Sequence, residues 1–125
     1  MTQDLQPVEV TVVDTSTAEW VDFPIPQLGV DLELIPLIDD PDTGMQAMKV
    51  VYRAGFINVW HTHPCAHGMY VLEGTLKTHQ GTFGPGSFVW FPEGGVMEHG
   101  ATDDADCVFL FITNKPFGIH YPGKE

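Results

Sequence analysis

Basic side chains are scarce in this chain: five Lys and Arg stand against 17 Asp and Glu, for a formal net charge of −12. Such a surface repels phosphate backbones and anionic headgroups, which argues against nucleic acid and membrane surfaces as partners. No apolar run approaches the roughly 20 residues of a membrane span. The N-terminus, Met1-Thr2-Gln3-Asp4, has neither the basic nor the apolar part of a signal peptide, so a cytoplasmic location is expected. Cysteine is nearly absent. Cys65 and Cys107 are the two present, and without a leader they read as free thiols rather than a disulfide. Helical periodicity is missing as well, since no window of eleven or more residues carries an apolar stripe at helical spacing.

What remains is an all-β pattern. The 13 Gly and 10 Pro are scattered as punctuation between short apolar stretches, which suits strands joined by tight turns. Before residue 45, Val8 to Val13 and Val30 to Leu37 can each be extended, and Asp39 to Gly44 is a turn by composition. From Met45 the pattern is regular, with extended segments at Met48–Arg53, Phe56–His63, His67–Leu72, Thr75–His79, Ser87–Phe91, Val96–Ala101 and Asp106–Thr113. Glu73-Gly74 breaks one pair, and Gly81, Gly84, Pro85 and Gly86 mark a turn region. Short strands at this spacing predict a sandwich or barrel. The expected organisation is one domain over 1–125: N-terminal strands at 1–44, a barrel core at 45–113 and a loop-like tail at 114–125. One internal echo is visible, Gly55 with five residues to His61 and Gly86 with five residues to Pro92.

Histidine carries the chemistry. His61 and His63 are two apart, so on a strand both imidazoles point to one face. Pro64 then breaks the strand and allows the chain to bring His67 alongside, while His99 comes from a separate turn region after Gly94-Gly95. Ligands gathered from neighbouring strands are what a metal site needs, and these four are the expected set. His79 and His120 lie outside it. Cys65, between two ligand positions, reads as a small buried residue before a fifth donor. Glu98, beside His99, reads as an exposed turn carboxylate before a proton acceptor, and it is the candidate for that catalytic role. Arg53 and Tyr70 either bind substrate or face solvent. Trp60, Trp90, Phe88, Phe91, Met69, Met97 and Phe109 read mostly as core, with one or two lining a pocket above the metal.

The segment from Gly55 through His61-Thr62-His63 and His67 to Gly74 resembles the first cupin motif, with His67 where a glutamate usually stands. Gly86 to Pro92, then Glu93-Gly94, resembles the second. That motif expects a histidine where Met97 stands, and His99 follows two residues later. The resemblance implies a double-stranded β-helix (jelly-roll) barrel with the metal inside its mouth. It also implies a preference for manganese or iron; imidazole ligands alone suit Ni, Cu and Zn as well. Four neutral imidazoles leave the ion its full +2 charge for anionic oxygen donors such as enolates. The leading functional expectation is therefore a dioxygenase acting on a small oxygenated or enolisable molecule. The alternatives are a non-redox lyase or isomerase using Glu98 as base, and a ligand-binding module without turnover. A homodimer is expected, paired through the apolar N-terminal region between residues 5 and 38.

Overall fold

The computed structural model describes residues 5–124. Its strands are β1 (Val21–Ile25), β2 (Val30–Asp39), β3 (Gln46–Tyr52), β4 (Ile57–His61), β5 (His67–Glu73), β6 (Leu76–Thr78), β7 (Gly81–Phe83), β8 (Phe88–Phe91), β9 (Met97–Ala101) and β10 (Cys107–Thr113). No α-helix occurs among the described residues. The strands form two antiparallel sheets, one ordered β1-β2-β3-β10-β5-β8 and the other β4-β9-β6-β7. Strands far apart in sequence alternate between the sheets, and the result is a jelly roll.

The core lies between the two sheets. Along β10, Cys107, Phe109, Phe111 and Thr113 are buried and alternate with half-buried neighbours, the period of a strand with one face inward. β10 sits between β3 and β5, so these side chains meet Val50 and Tyr52 on one side and Met69 and Val71 on the other. Each large apolar side chain buried this way contributes about 1.5–3 kcal/mol.

Two glycines permit close approaches that a side chain would block. At Gly100 in β9, a Cβ would stand 2.0 Å from the Phe56 carbonyl oxygen, so this glycine lets β9 lie tightly against β4. At Gly74 the backbone is left-handed (φ +74°) and a Cβ would meet the Asp106 carbonyl oxygen at 2.0 Å. The turn at 39–44 forms as composition predicts. The Asp40 N–H donates to the Met45 carbonyl at 2.9 Å, the Gly44 N–H donates to that of Asp40 at 2.7 Å, and Gly44 takes φ +77°.

The structure departs from the expected pattern in three places. Val8 to Val13 pairs with no strand among the described residues, and its side chains are exposed. Two strands go unread in the sequence: β1, interrupted by Pro24, and β7, whose three residues lie in the glycine-rich turn region. Finally, Trp60, Phe88 and Trp90 are not core, being 48%, 58% and 50% exposed. Alternation is the reason. His61 and Phe91 face inward, which turns Trp60 and Trp90 outward.

Candidate metal centre

Four buried histidines meet in the barrel interior: His61 ends β4, His63 follows it, His67 begins β5 and His99 sits mid-β9. A β-bulge makes the meeting possible. In the β4–β9 ladder, Asn58 pairs with His99 but His61 pairs with Met97, so β4 carries one extra residue between them. That residue resets the side-chain parity, and Asn58 and His61, three apart, both face inward. On the partner strand Met97 and His99 are two apart and both buried. The two-residue offset of His99 from the motif position therefore keeps it on the interior face.

The hydrogen bonds decide which nitrogen of each ring is free. His61 Nδ1–H donates to the Val59 carbonyl at 2.7 Å, and His63 Nδ1–H donates to the Gly118 carbonyl at 2.6 Å. A carbonyl can only accept, so both rings hold their proton on Nδ1 and keep the Nε2 lone pair for another partner. His99 Nδ1 lies 3.1 Å from the Tyr52 hydroxyl, and its Nε2 lies 3.1 Å from His61 Nε2. Two nitrogens bound at 90° to one ion at ordinary metal–nitrogen lengths stand about 3.0 Å apart. In the metal-free chain the His99 Nε2–H donates to His61 and the Tyr52 hydroxyl donates to Nδ1. An ion held at Nε2 would leave His99 its proton on Nδ1, where the same hydroxyl would accept it. Tyr52 is also hydrogen-bonded to the Asn58 side chain, and the Asn58 carbonyl oxygen accepts from the Tyr121 hydroxyl. This network fixes the His99 ring in both states.

The residues fit a divalent metal. One ligand atom from each of His61, His63 and His99 lies within 4.8 Å of the others. His63 Nε2 and both nitrogens of His67 are buried with no hydrogen-bond partner, a costly arrangement that a metal would relieve. His67 stands just outside the group of three. Its ring is 4.7 Å from that of His63 and is clamped between Phe91 and Phe111, at 4.8 Å and 4.7 Å. Burial keeps all four rings neutral. It pushes His61 down to about 4, and it pushes His67, with His63 and His61 beside it, down to about 3. His63 and His99 move the same way for the same reason. The unfolded chain would bind protons at these positions from about pH 6.5 downward while the folded chain refuses them. The metal-free protein is thus expected to hold its full stability above about pH 6.5 and lose it progressively as the pH falls toward 3, by roughly 1.4 kcal/mol per pH unit for each histidine involved. Denaturant unfolding across this range checks the slope.

The other expected site residues are not brought to the histidines. Glu98 lies between Met97 and His99, and strand alternation turns it to the opposite face of β9, where its N–H meets His79 Nδ1 at 3.4 Å. Cys65 is fully buried, and burial together with the Glu93 carboxylate raises its thiol, so it stays protonated and outside the donor group. Arg53 is exposed and pairs with Glu33 and Asp106, at 2.6 Å and 2.9 Å; Tyr70 is exposed on β5.

Several residues that shape the site have no ligand signature in the sequence. Tyr52 was readable in principle from alternation along β3. Asn58 was not, because only the bulge brings it inward. The tail at 114–125 is more than a loop: Thr62 and His120 form a β-bridge, Tyr121 is buried against Asn58, and Phe117 packs on His63 at 5.1 Å.

The sequence matches the ChrR cupin-like domain over residues 8–117. The chain belongs to that cupin family. Solved structures share the fold of this cupin at low identity. A Methylibium petroleiphilum protein proposed to be an acetylacetone dioxygenase matches at 14% identity and TM-score 0.77, over 98% of this chain and 89% of that one. The polyketide cyclase RemF of Streptomyces resistomycificus matches at 18% and 0.69, over 90% and 84%. A chain of the Rhodobacter sphaeroides complex of SigE with the anti-sigma ChrR matches at 19% and 0.63, over 80% of this cupin and 51% of that chain. No match was found among curated proteins. No helix among the described residues is long and apolar enough to cross a membrane.

Proposed function

We propose that this cupin is a metal-dependent dioxygenase of a small, enolisable molecule, with His61, His63, His99 and His67 holding one divalent ion, manganese or iron before nickel, copper or zinc. The observation that carries this reading is a buried group of neutral imidazoles whose free nitrogens converge and which no carboxylate among the described residues joins. A redox-active ion held there supplies a full +2 charge for a deprotonated oxygen donor and electron exchange with dioxygen. The protein's own part is to keep four rings neutral by burial, to hold His99 through Tyr52, and to keep the surroundings apolar. Both oxygen atoms enter the product, and the four electrons that dioxygen takes come from the substrate, so no external reductant is needed. The fold shared with an acetylacetone dioxygenase candidate is consistent with this chemistry, although fold alone does not assign it.

The non-redox alternative needs a base at the histidines, and Glu98 is turned away from them. Protein loaded with iron(II) or manganese(II) is expected to consume one dioxygen per molecule of an enolisable β-diketone, measured with an oxygen electrode. Turnover that persists under nitrogen with zinc would instead establish the non-redox chemistry. A homodimer is part of the same reading: Leu5, Val8, Val10 and Val12 are exposed along a segment without regular structure, which a second copy would cover.

A further inference from the structure

A cavity of about 40 Å³ lies between the inner face of the larger sheet and the C-terminal tail. Leu34, Met48 and Val50 line it from β2 and β3, Phe111 from β10, and Phe117 and Ile119 from the tail. One end is polar, where Asn58, His63 and His99 reach it. The candidate metal centre therefore opens onto this chamber on the side of His63 and His99. No Asp, Glu, Lys or Arg lines it among the described residues.

Two physical limits follow. A carboxylate or ammonium group carried into the apolar part of the chamber, away from an ion at its polar end, would lose hydration with no side chain of opposite charge to meet it, which is unfavourable. Size sets the second limit. A dry apolar cavity that accepts benzene measures roughly 150 Å³, so this one has room for a short alkyl group and not for a ring. The walls reinforce that limit, because Phe117 makes edge-to-face contacts with Phe111 and Phe23, at ring-centroid distances of 5.6 Å and 6.0 Å.

We propose that the chamber selects the substrate: it takes the short, uncharged alkyl arm of a molecule that chelates through enolate oxygens, and it rejects analogues whose arm is aromatic or ends in a carboxylate. The inference rests on the metal reading above, because the chelating end of the molecule must sit at the histidines. Within that reading it narrows the substrate class from enolisable molecules in general to small aliphatic ones. Each further methylene buried in the chamber should tighten binding by about fourfold, until the space is filled.

The test uses the full chain loaded with manganese(II) and kept under nitrogen, so that binding is read without turnover. Metal content is measured on the same sample. Calorimetric titration compares 2,4-pentanedione, 2,4-hexanedione, 1,3-diphenyl-1,3-propanedione and 4,6-dioxononanedioate, the last two carrying the phenyl or carboxylate arm at both ends so that no methyl arm can enter in its place. The ethyl-bearing hexanedione is expected to bind about fourfold more tightly than pentanedione, with the phenyl and carboxylate analogues at least about tenfold weaker than pentanedione. Phe117→Ala, compared with the unaltered chain at equal metal content, is expected to recover binding of the phenyl analogue. Equal affinity of the unaltered protein for pentanedione and either rejected analogue would overturn the inference, as would no gain for the phenyl analogue in Phe117→Ala. A preparation that retains no metal and binds none of the four would overturn the metal reading itself, and this inference with it.

Discussion

Replacing His99 by alanine is expected to abolish tight metal binding while leaving the barrel folded. The ring is fully buried and its Nε2 faces that of His61 at 3.1 Å, so alanine there removes one of the three converging ligand atoms. Competition against a chromophoric chelator should show the affinity falling by more than the roughly 10–100-fold that loss of a supporting hydrogen bond produces. Tyr52→Phe supplies that comparison. It removes only the hydroxyl beside His99 Nδ1, leaving a buried N–H without an acceptor when an ion is bound, and its affinity should fall within the 10–100-fold range. His67→Ala tests the fourth position. A loss as large as that of His99→Ala makes it a ligand, and a loss in the range of Tyr52→Phe makes it a neighbour. An affinity for His99→Ala within about threefold of the unaltered chain would contradict the assignment, since a lost ligand costs more than a lost support.

The largest effect on stability is expected from Phe109→Ala. Phe109 is fully buried at the centre of β10, packed edge-on against Tyr52 with ring centroids 4.7 Å apart. Truncating a buried phenylalanine costs about 3–5 kcal/mol, partly as lost transfer energy and partly as the cavity left behind. A domain of this size is stable by only about 5–15 kcal/mol. The variant should therefore melt roughly 10–20 °C lower in a thermal scan, judged from the usual scaling of Tm with stability. Because Tyr52 loses its support on one face, metal affinity should weaken as well. A loss of stability below about 1 kcal/mol would mean that β10 is not the centre of the core.

Much of this architecture was legible because a strand has a period of two. His61 and His63 share a face for that reason, and glycines punctuate the strands at Gly55, Gly74 and Gly86, all of which adopt left-handed backbone. Where alternation fails, so does sequence reading. The extra residue between Asn58 and His61 hides the inward turn of Asn58, and nothing in the local pattern marks a bulge. The opposite error came from reading aromatic residues as core by type. Parity, set by the buried neighbours His61 and Phe91, sends Trp60 and Trp90 to the surface. The tail could not be read locally, since its partners Thr62 and Asn58 lie some sixty residues away in the chain. Glu98 adjoins His99 in sequence, and adjacency along a strand places two side chains on opposite faces. The offset of His99 from the motif position was resolved by the same rule, because two residues return the chain to the same face.

The central claim is that the buried imidazoles hold a metal ion, and metal analysis of the chain purified without added metal tests it most directly. The account predicts about one first-row transition-metal ion per chain, with essentially none in a variant in which His61, His63 and His99 are all alanine. A folded, unaltered chain that takes up no ion, or a triple variant that holds as much as the unaltered chain, would contradict it.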